Sequence, residues 1–224
     1  MDCPTPIAPL PSAPQPVAST PPASRRRPAR PAPDGAMARL KADTSLVHRR
    51  LERAPPLRRL FAKDYTQGEY RQLLSRFYGF YSAVEPGLLT HPPALEDPRL
   101  GQPKAPALAA DLMALGLTGG EVAQLPRCHA PPPLATPAQR LGVLYVLAGA
   151  NLGGVIIHRR LEARFGPTIR PALNYYRGDE AVIYPAWAAF GQALEAHARA
   201  LGGDDYPAMA DAARGTFTAL EAWL

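Results

Sequence analysis

His48 and Glu52 stand one helical turn apart in Leu40-Lys-Ala-Asp-Thr-Ser-Leu-Val-His48-Arg-Arg-Leu-Glu52, where the histidine falls between Val47 and Leu51 on an apolar stripe. An imidazole there has two uses. It can be a satisfied core residue, or it can offer one ring nitrogen to a metal while the carboxylate holds the other, directly or through water, and fixes the tautomer. Far along the chain, Leu144-Tyr-Val-Leu-Ala-Gly149-Ala-Asn-Leu-Gly153-Gly154-Val-Ile-Ile157 places glycines one turn apart inside an apolar run. An interior helix glycine costs roughly 0.5–1 kcal/mol relative to alanine, so Gly142, Gly149, Gly153 and Gly154 together cost about 2–4 kcal/mol. A helix gives up side chains where its backbone must come close to a neighbouring helix, a membrane partner or a flat ligand. Alone, the glycines read as helix packing. Paired with His48 on a facing helix, they offer a bare backbone to one side of a flat macrocycle and an imidazole to the other.

The elements that carry these residues are helical throughout, because strand patterns are scarce and helical ones recur. A first helix is expected near 37–53, with Leu40, Val47 and Leu51 at helical spacing, stopping before Pro55-Pro56. A second, near 66–89, opens on a capping box of Thr66 and Glu69 and displays Tyr70, Leu73, Leu74, Phe77, Phe80, Tyr81 and Val84, a stripe that suits core. Loop follows from His91 to Pro106, then a helix near 107–116 and a short one opened by Thr118 and Glu121. The five prolines of 126–137 make a loop, after which Thr136-Pro137 caps and starts the glycine helix, running to about Phe165. A polar connection, a helix near 184–201 ended by Gly202-Gly203, and a closing helix near 207–224 complete an all-α, single-domain bundle over 37–224.

Composition narrows the classes. Residues 1–36 hold eleven of the 28 prolines, Arg25-Arg26-Arg27 and Arg30, and almost no large apolar residue after Leu10, so they are expected to be a disordered leader. Met37, directly before the first helical pattern, is an equally good start. The leader has no apolar stretch for a secretory signal, though its basic character leaves organelle targeting open. Without it the formal charge falls from +6 to +4, four arginines and two acidic residues being removed. Basic residues concentrate at Arg49, Arg50, Arg53, Arg58, Arg59 and Lys63 and at His158-Arg159-Arg160, but no nucleic-acid-binding module accompanies them. Cys3 and Cys128 form no CxxC pair, so neither a disulfide framework nor a structural zinc site is expected, and a reducing, cytoplasmic setting is the simplest. The uncharged stretch 141–157 sits at the lower length limit for a membrane span, and Asn151 and the glycines dilute it, so no span is expected.

With these residues in view, the chain resembles the bacterial, biliverdin-producing heme oxygenases. The segment from Leu40 to Glu52 is similar to that family's proximal helix, and Leu141-Gly-Val-Leu-Tyr-Val-Leu-Ala-Gly-Ala-Asn-Leu-Gly-Gly154 to its distal helix. Leu74-Ser-Arg-Phe-Tyr-Gly-Phe-Tyr-Ser-Ala-Val-Glu85 resembles its second helix and the stretch from Phe217 to Trp223 its closing one, so the likeness spans about 38–224.

The resemblance implies a monomeric heme-oxygenase-like bundle that opens heme with O2 and electrons to biliverdin, carbon monoxide and ferrous iron. It implies His48 as the iron ligand, with Glu52 behind it, Gly149, Gly153 and Gly154 as distal backbone over heme, and Lys41 as a propionate contact. Heme would be substrate and cofactor at once. Electrons would come from a ferredoxin- or flavin-type donor landing on the early arginines, and a phytochrome is a possible biliverdin acceptor. No catalytic side chain is assigned. Ala148 and Ala150 depart from the family, standing where bacterial relatives often have Glu and Ser, the second also where animal enzymes have a water-organising Asp. Ala188, after Trp187, replaces a commonly basic residue, and Asn151 either orients water or caps its own backbone. These departures keep an alternative open: a protein of the same fold that binds heme or another tetrapyrrole for storage or sensing without turnover.

Overall fold

The computed structural model describes residues 35–90, 102–178, 180–201 and 205–224. Among these, every regular element is a helix: α1 (Ala36–Glu52), α2 (Pro55–Arg59), α3 (Gln67–Thr90), α4 (Ala105–Ala114), α5 (Gly119–Ala123), α6 (Pro137–Phe165), a 3-10 turn (Pro167–Ala172), α7 (Glu180–Leu201) and α8 (Tyr206–Trp223). The leader up to residue 34, Cys3, His91 and the Gly202-Gly203 stop lie outside the described residues.

Both expected capping boxes form. Thr66 Oγ1 accepts from Glu69 N at 3.2 Å while Glu69 Oε2 accepts from Thr66 N at 2.9 Å, and Thr118 and Glu121 repeat the exchange. A third box joins Thr136 to Gln139 at the start of α6, where only the cap and the N1 proline are expected from the sequence. Two elements differ from expectation. The prolines at 55 and 56 end α1 but also begin α2, since a proline in the first turn has no amide to lose. Likewise α7 starts at Glu180, four residues early, and carries Pro185 inside its first turns.

The arrangement that matters is how α1 and α6 are held. Each packs on α8 and on α7, α6 against α8 most extensively, and their direct contact with each other is slight. Three polar devices seat α1. The two oxygens of Glu195 on α7 each accept a 2.9 Å bond from Ala36 N and Met37 N, satisfying amides that a helix start leaves open. Tyr206 of α8 donates to Asp43 at 2.7 Å beneath the Arg39 guanidinium, and Arg50 grips Glu221 with two bonds of 3.3 and 2.7 Å.

On the other side of α6, buried carboxylates fix the chain. Asp111, fully buried on α4, accepts from Asn174 N, Asn174 Nδ2 and Tyr175 N at 2.7–2.8 Å, which pins the link between the 3-10 turn and α7. Glu85 accepts from Lys104 N and Ala105 N and so caps α4. Burial pushes both carboxyls above the usual carboxylate range, against the hydrogen bonds that pull them down. Among the described residues one helix, α6, is long and apolar enough to cross a membrane, and half of its apolar window is buried against the rest of the protein.

Candidate functional site

Helical spacing puts His48 on the same face of α1 as Leu40, Thr44 and Leu51, all less than a tenth exposed. A core-facing position should be covered. Instead the His48 side chain is 53% exposed, with its ring edge-on to Phe217 of α8 at 5.3 Å. Its Nδ1 faces Glu52 Oε1 at 3.6 Å, an electrostatic contact rather than a hydrogen bond, which turns Nε2 away from Glu52. The ordinary fate of an apolar-face histidine, a satisfied place in the core, is therefore not the one found. No group of three or more His, Cys, Asp or Glu able to hold a metal occurs among the described residues.

The glycines of α6 divide into two kinds. A Cβ on Gly142 would meet Met209 O of α8 at 2.1 Å, so that glycine exists to let two helix backbones touch. On Gly154 it would meet the Tyr176 ring at 3.5 Å, ordinary packing. On Gly153 it would meet nothing within 4 Å, and on Gly149 only the Trp187 ring, at 3.5 Å. Gly149, Gly153 and Ile156 follow at i, i+4 and i+7, hence share a face, and Ile156 is 63% exposed on it. Packing accounts for Gly142 and Gly154. It does not account for open Gly153 beside an uncovered isoleucine.

Trp187 is a residue that sequence reading used only as a landmark. Held by stacking on Phe190 at 5.3 Å and by Tyr145 at 5.8 Å, it closes one end of the open face at Gly149. Its sign in the sequence was no more than an aromatic on an apolar helix. Tyr145 in turn reaches the Thr44 side chain on α1, a polar tie between the two helices.

The remaining site residues sort by exposure. Lys41 and Ala188 are exposed, free to face a charged group but with no placement that assigns one. Ala148 is 1% exposed, so an acidic group there would have to be buried, while Ala150 is exposed beside the open face. Asn151 donates Nδ2 to Ala148 O at 3.0 Å, a bond to its own helix. Ala150, Asn151, Gly154 and Tyr176 border a small cavity of about 10 Å³, room for about one water. A larger groove, about 710 Å³, runs past Pro55, Arg59, Gln72, Arg76 and Trp223 and touches neither His48 nor the open glycines.

Behind α6 stands a group of buried tyrosines. Tyr81 and Tyr175 share a 3.0 Å hydroxyl bond, Tyr70 donates to Ala172 O at 2.9 Å, and the rings of Tyr175 and Tyr176 are 4.7 Å apart. Burial raises all four, Tyr81 to about 12, so each is a neutral hydroxyl able to donate and accept.

Comparisons with known proteins bear on the family and the fold. A family model described as heme oxygenase matches residues 34–220. A heme oxygenase of Xanthomonas campestris pv. campestris (strain 8004) is 39% identical over 94 residues, 41% of this chain and 50% of that protein, so the match spans half the relative's length. The structure of a heme oxygenase from Leptospira interrogans superposes with a TM-score of 0.66 at 18% identity, covering 84% of this chain and 98% of the other, a likeness of fold.

Proposed function

The chain belongs to the heme oxygenase family, and from that premise we propose that it binds heme between α1 and α6 and cleaves it to biliverdin, carbon monoxide and ferrous iron. One observation carries the reading. A histidine at a core-facing position of α1 is left half uncovered, while the glycine face of α6 accepts no neighbour at Gly153.

His48 would bind the iron through Nε2, with Glu52 steadying Nδ1 and Phe217 the ring plane. Gly149, Gly153 and Ile156 would lie over the other face, Trp187 at its edge, with Gly154 behind and Lys41 toward a propionate. Bound heme supplies an iron that activates oxygen and the ring that is opened. The neutral imidazole lacks the electron push of a thiolate, which favours early cleavage of the O–O bond. The bare backbone at Gly149 and Gly153 would leave that face of the heme uncrowded by side chains, with Trp187 against Gly149 and no neighbour at Gly153. That opening would admit water.

Electrons are expected from a ferredoxin- or flavin-type donor. The early basic surface is less free than its sequence suggests, since Arg50 pairs with Glu221 and Arg59 with Glu69 and Asp64. Arg49, Arg53, Arg58 and Lys63 remain exposed for that contact, on a chain we take to act as a monomer in a reducing, cytoplasmic setting with a phytochrome as one possible acceptor of biliverdin.

The second reading, binding without turnover, is favoured by Ala150, which puts a methyl group where a water-organising side chain would stand. One assay separates the two. Hemin is added to the chain, then ascorbate or a reductase under air. Loss of the Soret band with a broad red absorbance supports cleavage, a stable Soret band supports binding alone, and no complex sinks both.

A further inference from the structure

The groove of about 710 Å³ between α2, α3 and the end of α8 has no part in the proposed heme site, and its size suits a small molecule, whose sites run from about 300 to 1,000 Å³. One of its walls depends on a glycine. A Cβ on Gly79 of α3 would collide with Pro126 O and stand 2.8 Å from Trp223 Cζ2, so α3 gives up a side chain to seat both the loop and the indole. Cys128 N then donates to Gly79 O at 3.1 Å, and Trp223 Nε1 donates to Arg76 O at 2.6 Å. The one polar atom of Trp223 is thus spent on backbone. What it brings to the groove is a fixed, half-buried aromatic surface, with Leu73 and Pro126 beside it on the lining.

The charged residues of the lining do not all find partners. Arg59 and Glu69 satisfy each other at 2.7 Å. Arg76 is exposed and has no acidic partner among the described residues; its guanidinium lies over the Trp223 ring instead, 5.2 Å from the centroid. A guanidinium holds a carboxylate through two parallel N–H bonds, and this one is already steadied by the ring. Gln72, one turn before Arg76 on the same face of α3, is exposed and makes no hydrogen bond among the described residues, so it offers a further amide.

An aromatic surface, an unpaired guanidinium and a free amide select a flat, conjugated molecule that carries a carboxylate. The proposed reaction makes one. Biliverdin has four unsaturated rings in a line and two propionates. Phe217, whose ring meets His48, and Trp223 are six residues apart on α8, about 9 Å along its axis, so the groove begins within two helical turns of the proposed heme site. We propose that the groove is a second tetrapyrrole site, which takes biliverdin with a propionate on Arg76 and a ring against Trp223 and holds it after it leaves the heme face. The site rests on the heme oxygenase reading for the source of its ligand, whereas the binding itself needs no turnover.

Biliverdin titrated into the full chain, loaded with hemin and kept without reductant, tests the site. One equivalent should bind and give circular dichroism to the red biliverdin band while the Soret band stays in place. Arg76→Gln should weaken that binding about tenfold, the low end for a lost charge-assisted hydrogen bond, and Arg76→Lys should weaken it less, with hemin affinity equal in all three chains. No binding, binding only at the expense of hemin, or equal biliverdin affinity in Arg76→Gln would overturn the groove as its site. Failure of the heme oxygenase reading has a different signature. A chain that binds biliverdin through Arg76 yet takes up no hemin, or takes it up and never cleaves it with ascorbate under air, keeps the groove site and loses that reading.

Discussion

Glycine serves opposite purposes at two places on one helix, and alanine substitutions expose the difference. At Gly153 an added methyl enters open space, so Gly153→Ala should stabilise the heme-free chain by about 0.5–1 kcal/mol through helix propensity. The same methyl stands where heme is expected to lie, so hemin affinity should fall, as a thermal melt and a Soret titration of one sample would show. At Gly142 the methyl would collide with Met209 O, and Gly142→Ala should cost about 1–3 kcal/mol in the melt while leaving the ligated spectrum of the folded fraction unchanged. Stabilisation by Gly142→Ala would rule out close approach there, and undiminished hemin affinity in Gly153→Ala would rule out the ligand as the reason for that glycine. His48, Glu52 and the glycine pair were legible in the sequence because spacing alone puts them on helical faces. Trp187 was not, since its role depends on where α7 crosses α6, and nothing local encodes that crossing. Nor could spacing tell that His48, on a core-facing stripe, would be left uncovered.

The helices themselves explain why α1 and α6 can stand apart. Each is held by α7 and α8, so their relative placement is set by third parties more than by their own contact. Glu195 is the clearest of these holds, because one α7 carboxylate ends on the first two amides of α1. Glu195→Ala should cost about 1 kcal/mol, the usual loss for a helix cap, and hydrogen exchange should quicken at Ala36 and Met37 before any change at α8. Uniform exchange along α1 would show that the cap is dispensable. Helix starts with a cap residue in the sequence were readable to within a residue or two, as at Thr66, Thr118 and Thr136. The start of α1 was less so, since its cap comes from residue 195, and α2 was missed because proline was read only as a stop.

For the molecule as a whole, acidity should act through opposed carboxylates. Hydrogen bonds from Arg59 first and then from Thr66 hold Glu69 down to about 2, so its stabilising share is present above the ordinary carboxylate range and is lost as pH falls towards about 2. Burial raises Asp111 and Glu85, so their share has the other sign, full in acid and lost as pH rises. Melting temperatures of the wild type and Glu69→Gln should therefore differ at pH 6 and converge towards pH 2. A gap that persists in acid would show that Glu69 acts by packing and not by charge. The proposed site joins a half-uncovered histidine on α1 to an open glycine face on α6. Its most direct test is the visible and resonance Raman spectrum of the hemin complex of the wild type beside His48→Ala, whose exposed side chain makes little difference to the fold. A one-to-one complex with an iron–histidine signature in the wild type, absent from the variant, is the predicted result. The same histidine-ligated spectrum in both proteins would contradict the assignment.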